Sequence, residues 1–274
     1  MHVSVLYEEV LHWLEPKADG LFIDGTLGWG GHTLGLLQAS APSGHVLAFD
    51  RDQLAIEAAT ERLGGFAGLL ERVTIAHASF EQMGRVAPEQ GFGRVDGIVL
   101  DLGLSSMQLD NGERGFSFRF DAPLDMRFDQ TGGESAADLL NNLSEQGLSE
   151  IFWRYGEERR SRQLARIIVD NRPILSTKTL ADLIERHTPY KLRRRGHHPA
   201  TKIFQALRIA VNDELGALER VLPVAVGLLK PQGRLAVISF HSLEDRIVKQ
   251  AFRAMAIDCV CPPQQPFCTC DQQV

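Results

Sequence analysis

Between Phe22 and His32 the chain reads Phe-Ile-Asp-Gly-Thr-Leu-Gly-Trp-Gly-Gly-His, so an apolar run ends in Asp24 and passes into glycines at 25, 28, 30 and 31. Residues without a Cβ let backbone come close to a bound molecule at the carboxyl end of a strand. A second apolar run, 46–49, ends in Asp50, twenty residues after Gly30. An acidic residue there can accept hydrogen bonds from both hydroxyls of a ribose, so the pair of signals points to an adenosine-containing cofactor. Started at Gly28, the dinucleotide pattern G-x-G-x-x-G meets Thr33 where glycine or alanine is required, and no G-x-x-x-x-G-K-[ST] occurs. Carboxylates at both strand ends repel phosphate and suit a cofactor with positive amino and sulfonium groups, which selects S-adenosyl-L-methionine. A tight loop with no ligand is the plain alternative for the glycines, and the placement of Asp50 weighs against it.

These residues need a frame that sets strand ends side by side. Apolar runs at 21–25, 46–50, 73–77 and 97–102 are separated by helical patterns, notably 33–39 and 52–63. Such alternation predicts an α/β fold with a parallel sheet covered on both faces, because each parallel crossover needs a helix. After Leu102 the alternation stops. Loop sequence and then helical periodicity run to about 205, and a strand-like run returns only at 233–240, after a long amphipathic stretch from 201 to 229. The expected organisation is a sheet domain over 1–108 and 206–274, with a mainly helical insert over 109–205 that recognises substrate. The strands before and after the insert are expected to be neighbours.

With 274 residues, 44% hydrophobic and 23% charged, the chain can bury a core without disulfides. No apolar run reaches a membrane-spanning length of about eighteen residues, and Glu8, Glu9 and Glu15 occupy the place where a secretory signal would be basic and then apolar. The expectation is a soluble, cytoplasmic protein with no membrane partner. A net charge of −6 conceals a basic segment: residues 151–208 hold 14 Lys and Arg against 5 Asp and Glu. Clustered cations are the footprint of a phosphate backbone, and Arg193, Arg194 and Arg195 are its candidate RNA contacts. A solvated helix face with local pairs to Glu157 and Glu158 is the alternative. Helical spacing assigns Phe152, Trp153 and Tyr155 to packing rather than base stacking. Cys259, Cys261, Cys268 and Cys270 are a candidate tetrathiolate zinc site, although the spacing lacks C-x₂-C and leaves the metal undetermined.

Longer strings carry a resemblance. DGTLGWGGH, AFDRD, HASF, DGIVLDLGLSS with Gln108 and LD, RGFSF, PLDMRFD, YGEER, HPATKIFQALRIAVNDEL and GRLAVISFHSLEDRIVK, spread from His2 to Lys249, resemble the MraW family of small-subunit ribosomal RNA cytosine-N4 methyltransferases. The resemblance implies a class I (Rossmann-like) methyltransferase sheet with an inserted helical domain. It also implies methyl transfer from S-adenosyl-L-methionine to the exocyclic N4 of a cytidine in the decoding region of 16S rRNA, with the small ribosomal subunit as partner. Its cofactor contacts fall on Gly30, Gly31, His32, Asp50, Phe80, Asp101 and Gln108, every one of which matches. In these roles Gly30 and Gly31 admit the methionine part, Asp50 holds the ribose, Phe80 packs on adenine, Asp101 ends the fourth strand near the reacting centre and Gln108 closes the pocket. Family members usually continue past the cysteines into a basic, strand-forming tail, whereas this sequence ends at Val274, so a last strand and part of the activity are expected to depend on such a tail.

Methyl transfer from a sulfonium is an in-line displacement, which demands alignment more than a strong acid or base. Cytosine N4 is a poor nucleophile because its lone pair is delocalised into the ring, and acceptors for its protons would help it attack. Many amino methyltransferases carry Asn/Asp/Ser-Pro-Pro-aromatic after the fourth strand for this purpose; here the same place reads Asp101-Leu-Gly-Leu. The acceptors expected instead are Asp101, Asp125 and His241, the last two also readable as a loop cap and a structural histidine. No cysteine lies on a predicted strand to attack cytosine C6. A methyltransferase acting on another nucleic acid and a non-catalytic ribosome-binding factor are the competing classes, an oxidoreductase is disfavoured by Thr33, and oligomeric state is unread, with a homodimer left open.

Overall fold

The strand-forming runs assemble as their patterning requires. A computed structural model describes residues 4–105, 108, 112–193 and 198–257, and these cluster into two compact units. The first carries residues up to Asp50, Ile56–Gly103 and those from Leu215 onward; the second carries Arg51–Ala55 and Leu104–Glu214.

In the first unit, β1 (Leu21–Asp24), β2 (His45–Asp50), β3 (Val73–His77), β4 (Val95–Asp101) and β5 (Leu229–Ile238) form a parallel sheet ordered β3-β2-β1-β4-β5. Side chains alternate between faces along each strand, and both faces are covered. Ile23, Leu47, Phe49, Ile98 and Leu100 pack with α4 (Met83–Glu89), α10 (Glu214–Leu228) and α11 (Ser242–Met255) through Met83, Leu218, Leu222 and Val248. Their neighbours Phe22, Val46 and Val99 pack instead with α1 (Tyr7–Leu14), α2 (Gly31–Ala39) and α3 (Gln53–Gly64) through Val10, Leu36, Leu37 and Leu63. Double-sided burial is why these strands read as continuous apolar runs rather than as alternation. The strands before and after the insert do pair, with Asp101 opposite Ile238.

β5 begins at Leu229, earlier than the apolar run at 233 suggests, because Lys230, Pro231, Gln232 and Gly233 are polar or conformationally special. Its register shifts against β4 between Val95 and Gly97, and Gln232 takes a positive φ of 68°. The strand also stops at Ile238, which leaves Ser239 and Phe240 beyond its end.

The second unit is helical: α5 (Ala136–Asn142), α6 (Glu145–Gly156), α7 (Ser161–Asp170), α8 (Thr177–Arg186) and α9 (Thr201–Asn212). They enclose a core of Leu140, Leu148, Phe152, Leu164, Ile168, Leu180, Ile184, Ile203 and Leu207. Ser135, Ser144 and Ser176 cap α5, α6 and α8 by accepting from Asp138, Gly147 and Thr179 backbone N–H groups, which satisfies otherwise orphaned donors. The amphipathic stretch over 201–229 is two helices, broken where Asp213 adopts φ 48° between α9 and α10. Among the described residues no helix is long and apolar enough to cross a membrane.

Candidate active site

Three adjacent strands, β2, β1 and β4, end in Asp50, Asp24 and Asp101, so the carboxyl edge of the sheet carries three acids in a row. Each is used differently. Asp24 is fully buried; its Oδ1 accepts from the Thr26 N–H at 3.1 Å and its Oδ2 from the Thr33 hydroxyl at 2.7 Å. Burial raises its pKa, against the lowering influence of the nearby His32 and of both hydrogen bonds. Asp24 therefore braces the glycine turn from behind rather than facing a ligand. Thr33, the residue that breaks the dinucleotide pattern, is the partner that this brace requires.

Asp50 reaches the turn itself: its Oδ2 accepts from the Gly28 N–H at 2.8 Å. Gly28 and Gly30 have φ of 49° and 70°, the left-handed region that favours glycine. Their missing side chains serve different ends. A Cβ on Gly30 would lie 3.2 Å from Ala59 Cβ, and one on Gly31 would run into the Ser4 hydroxyl, so these two positions admit the chain's own packing. Among the described residues nothing but the Thr26 carbonyl comes within 4 Å of a Cβ built on Gly28, at 3.9 Å. The positive φ of Gly28 and its bond to Asp50 are not visible in the sequence.

On the other side of β1, His32 enters from the first turn of α2 with only 3% exposure. Its Nε2 lies 3.6 Å from Asp101 Oδ2, and its ring stacks on Tyr7 with centroids 6.3 Å apart. Among the described residues neither ring nitrogen has a hydrogen-bond partner, and Asp101 Oδ1 is likewise buried without one. The Asp101 N–H is held by the Thr26 hydroxyl at 2.6 Å. Burial pushes the imidazole pKa down, but the carboxylates of Asp101 and Asp24 outweigh it and hold it above its ordinary value. A group whose folded pKa is raised stabilises the fold while protonated, and that contribution fades as pH rises past the unfolded value of 6.5 toward the folded one. Thermal unfolding monitored by circular dichroism should therefore show a midpoint that falls as pH rises through the imidazole range. His32→Gln should flatten this slope, and an identical slope in the variant would remove His32 as its cause.

Phe80 opens a short turn, Phe80–Gln82, directly after β3, capped by the Ser79 hydroxyl. It is half-buried against the sheet core, and its Cβ would come 3.2 Å from a Cβ on Gly25. Gln108 belongs to the second unit, where its amide is engaged: Nε2 donates to Asp52 Oδ2 at 3.1 Å and Oε1 accepts from the Ser105 N–H at 3.1 Å. Asp125, in the same unit, binds Arg127 through Nη2 at 2.7 Å, Nε at 2.9 Å and the backbone N–H at 3.0 Å. Burial acts to raise the Asp125 pKa, but Arg127 outweighs it and holds the carboxyl below its usual value.

His241 is the N-cap of α11: its Nδ1 accepts from the Glu244 N–H at 3.4 Å, and the Glu244 carboxylate reaches back to the His241 N–H. The imidazole Nε2 lies 3.1 Å from Glu244 Oε1. Glu244 supplies the usual third-position acid of this capping box, while His241 stands where Ser or Thr is the usual residue. The sheet unit thus brings together Asp101 with His32 and Asp50 with Gly28.

In the basic segment, Arg193 is committed within its own unit: it pairs with Glu185 at 3.3 Å and donates to the carbonyls of Glu185 and Thr188 at 2.8 and 3.1 Å. Arg194, Arg195 and the four cysteines lie outside the described residues. Trp153, which helical spacing assigned to packing, is 61% exposed, while Phe152 is fully buried. Arg154, Arg159 and Arg162 are exposed as well. Among the described residues no group of three His, Cys, Asp or Glu could hold a metal ion.

Comparison with known proteins places this geometry. Residues 1–274 match the model of the MraW methylase family. A Heliobacterium mobile protein named ribosomal RNA small subunit methyltransferase H is 50% identical, over 99% of this chain and 88% of its own. Proteins of the same name from Geobacter sp. (strain M21) and Citrifermentans bemidjiense are each 53% identical, over 98% of this chain and 86% of theirs. With a glycine turn tied to the acid that ends β2, a buried imidazole beside the half-buried acid that ends β4, and a family match along its whole length, the chain belongs to the MraW methylase family.

Proposed function

We propose that this chain methylates the N4 amino group of a cytidine in 16S rRNA, using S-adenosyl-L-methionine, on the small ribosomal subunit in the cytoplasm. The observation that carries the reading is the edge of the sheet: the Asp50–Gly28 contact on one side and the half-buried Asp101 beside the buried His32 on the other, in a chain half identical to proteins named for small-subunit ribosomal RNA methylation. The residues fit the cofactor, because Gly28 leaves open a space that a Cβ would fill and Asp101 Oδ1 and His32 leave polar atoms without partners. When bound, the cofactor supplies an electrophilic methyl group on a positively charged sulfur.

The chain's own residues do the rest. Asp50, whose Oδ2 accepts from the Gly28 N–H, also accepts from the ribose hydroxyls. Phe80 supplies an apolar face for adenine, Gly30 and Gly31 bring the start of α2 to the amino-acid part, and Gln108 bounds the pocket. Asp101, whose side chain is 24% exposed, accepts a hydrogen bond from the exocyclic amine, which eases the attack of a delocalised lone pair. His32, 3.6 Å from Asp101 Oδ2, holds that carboxylate in place and balances its charge.

Asp125 and His241 are the other proposed acceptors of amine protons. Asp125→Asn and His241→Ala are each expected to lower turnover about 10-fold or more, within the range for positioned proton acceptors, while cofactor affinity stays unchanged. Near-normal turnover in both would reduce them to the loop brace and helix cap that their contacts describe. Arg193, Arg194 and Arg195 contribute to the phosphate-binding surface of the insert. Exchanging all three for glutamate should weaken RNA binding and leave cofactor binding intact, and equal loss of both would indicate misfolding. Offering intact unmethylated small subunits, free 16S rRNA and duplex DNA in parallel tests the substrate class: label in the first or second alone supports the reading, and label in DNA overturns it.

A further inference from the structure

Beyond Asp101 the sheet carries an unexplained aromatic. Asp101 lies opposite Ile238, and the Leu102 N–H donates to the Ile238 carbonyl at 3.0 Å, so β4 and β5 stay in register to their last residues. Two residues further on, Gly103 and Phe240 meet. Gly103 has φ 96°, and a Cβ built on it would come 3.2 Å from Phe240 Cδ2, so the ring rests on the bare backbone of Gly103. Even so, the side chain is 55% exposed.

Its mount is rigid. The Glu244 carboxylate, on a residue only 2% exposed, accepts from the Phe240 N–H at 2.9 Å and from the His241 N–H at 3.4 Å. His241 in turn caps α11. An apolar ring is thus fixed in solvent at the carboxyl edge of the sheet, two residues past the strand position that pairs with Asp101.

From this geometry we infer that Phe240 is the stacking platform for the pyrimidine base whose amino group is methylated. The inference rests on the methyl-transfer reading above. A base that reacts at an exocyclic amine must leave its neighbours in the RNA, and a protein ring replaces the stacking it loses. The residues after Asp101 are Leu-Gly-Leu and provide no such ring from β4. Phe240 brings one to the same place from β5, and Gly103 is the residue that gives it room. The ring sets the plane of the base, and the Asp101 carboxylate then meets its amine.

The test compares Phe240→Ala, Phe240→Leu, Phe240→Tyr and Phe240→Trp, with steady-state methylation of unmethylated small subunits and calorimetric titration with S-adenosyl-L-methionine. Losing one base–aromatic stack is expected to lower kcat/KM about 10- to 100-fold in the Ala variant. Leu should be impaired similarly, Tyr and Trp should recover most of the activity, and cofactor affinity should stay within about twofold throughout. Wild-type activity in the Leu variant would show that apolar bulk suffices and overturn the assignment. A parallel loss of cofactor affinity would overturn it as well, by making Phe240 a structural support. Failure of the underlying reading looks different: the unaltered chain would bind cofactor and methylate no cytidine.

Discussion

Asp50→Ala is expected to weaken cofactor binding by at least about 100-fold while the sheet stays folded. The two hydrogen bonds that its carboxylate offers a ribose are charge-assisted, worth about 1.5–3 kcal/mol each. The same substitution also frees the Gly28 N–H, whose bond to Asp50 Oδ2 spans 2.8 Å and ties the glycine turn to the end of β2. Asp50→Asn separates the two effects. It retains one acceptor oxygen, replaces the other with a donating NH2 and loses the charge, so its affinity should fall between wild type and the Ala variant. Calorimetric titration with S-adenosyl-L-methionine reads both. An Ala variant that binds within about threefold of wild type would place the ribose elsewhere.

The largest effect on stability is expected inside the second unit, at Arg114. Its Nη1 donates to Asp52 Oδ2 at 2.9 Å, and its Nη2 to the carbonyls of Arg127 and Phe128 at 2.9 and 3.0 Å; Asp52 and Arg114 are 3% and 5% exposed. Removing one partner of a buried pair leaves the other charge without compensation, which costs about 3–5 kcal/mol. Arg114→Met should therefore unfold at markedly lower denaturant concentration, because the neutral donors Gln108 and the Leu54 N–H do not replace the guanidinium's charge. Adding Asp52→Leu should recover part of the loss, because the stranded carboxylate disappears. Recovery should stay incomplete, since the carbonyls of Arg127 and Phe128 remain without their donor. A single variant costing no more than a typical surface change, about 0.5 kcal/mol, would contradict this role.

How far the sequence spoke depends on the range of the interaction. Strands with both faces buried read as apolar runs ending in acids, so β1 to β4, their order of appearance and Asp24, Asp50 and Asp101 at their ends were legible. β5 was legible only in its second half, because its first residues are polar and cross a register shift. Local signals were present but ambiguous: His241 with Glu244 three residues on spells a helix cap, and Asp125 two residues before Arg127 spells a loop brace, while both also suit proton acceptance. Trp153 sits between the buried Phe152 and the half-buried Tyr155, one position off the core stripe, and so its exposure could be read only from the helix's orientation.

Long-range pairings left no trace. Asp52 and Arg114 are 62 residues apart, and Arg193 meets Glu185 only because α8 ends beside the turn that follows it. The division of labour among the glycines was equally hidden: which one opens onto space depends on Ala59 and Ser4, which lie far from the turn in the chain.

The most direct test of the whole account is identification of the product nucleoside. The chain would be incubated with unmethylated small ribosomal subunits and S-adenosyl-L-methionine carrying a labelled methyl group, and the RNA digested to nucleosides. Label in N4-methylcytidine, absent with the Asp101→Ala variant, is the predicted result. Label in 5-methylcytidine, or in any purine, would contradict it.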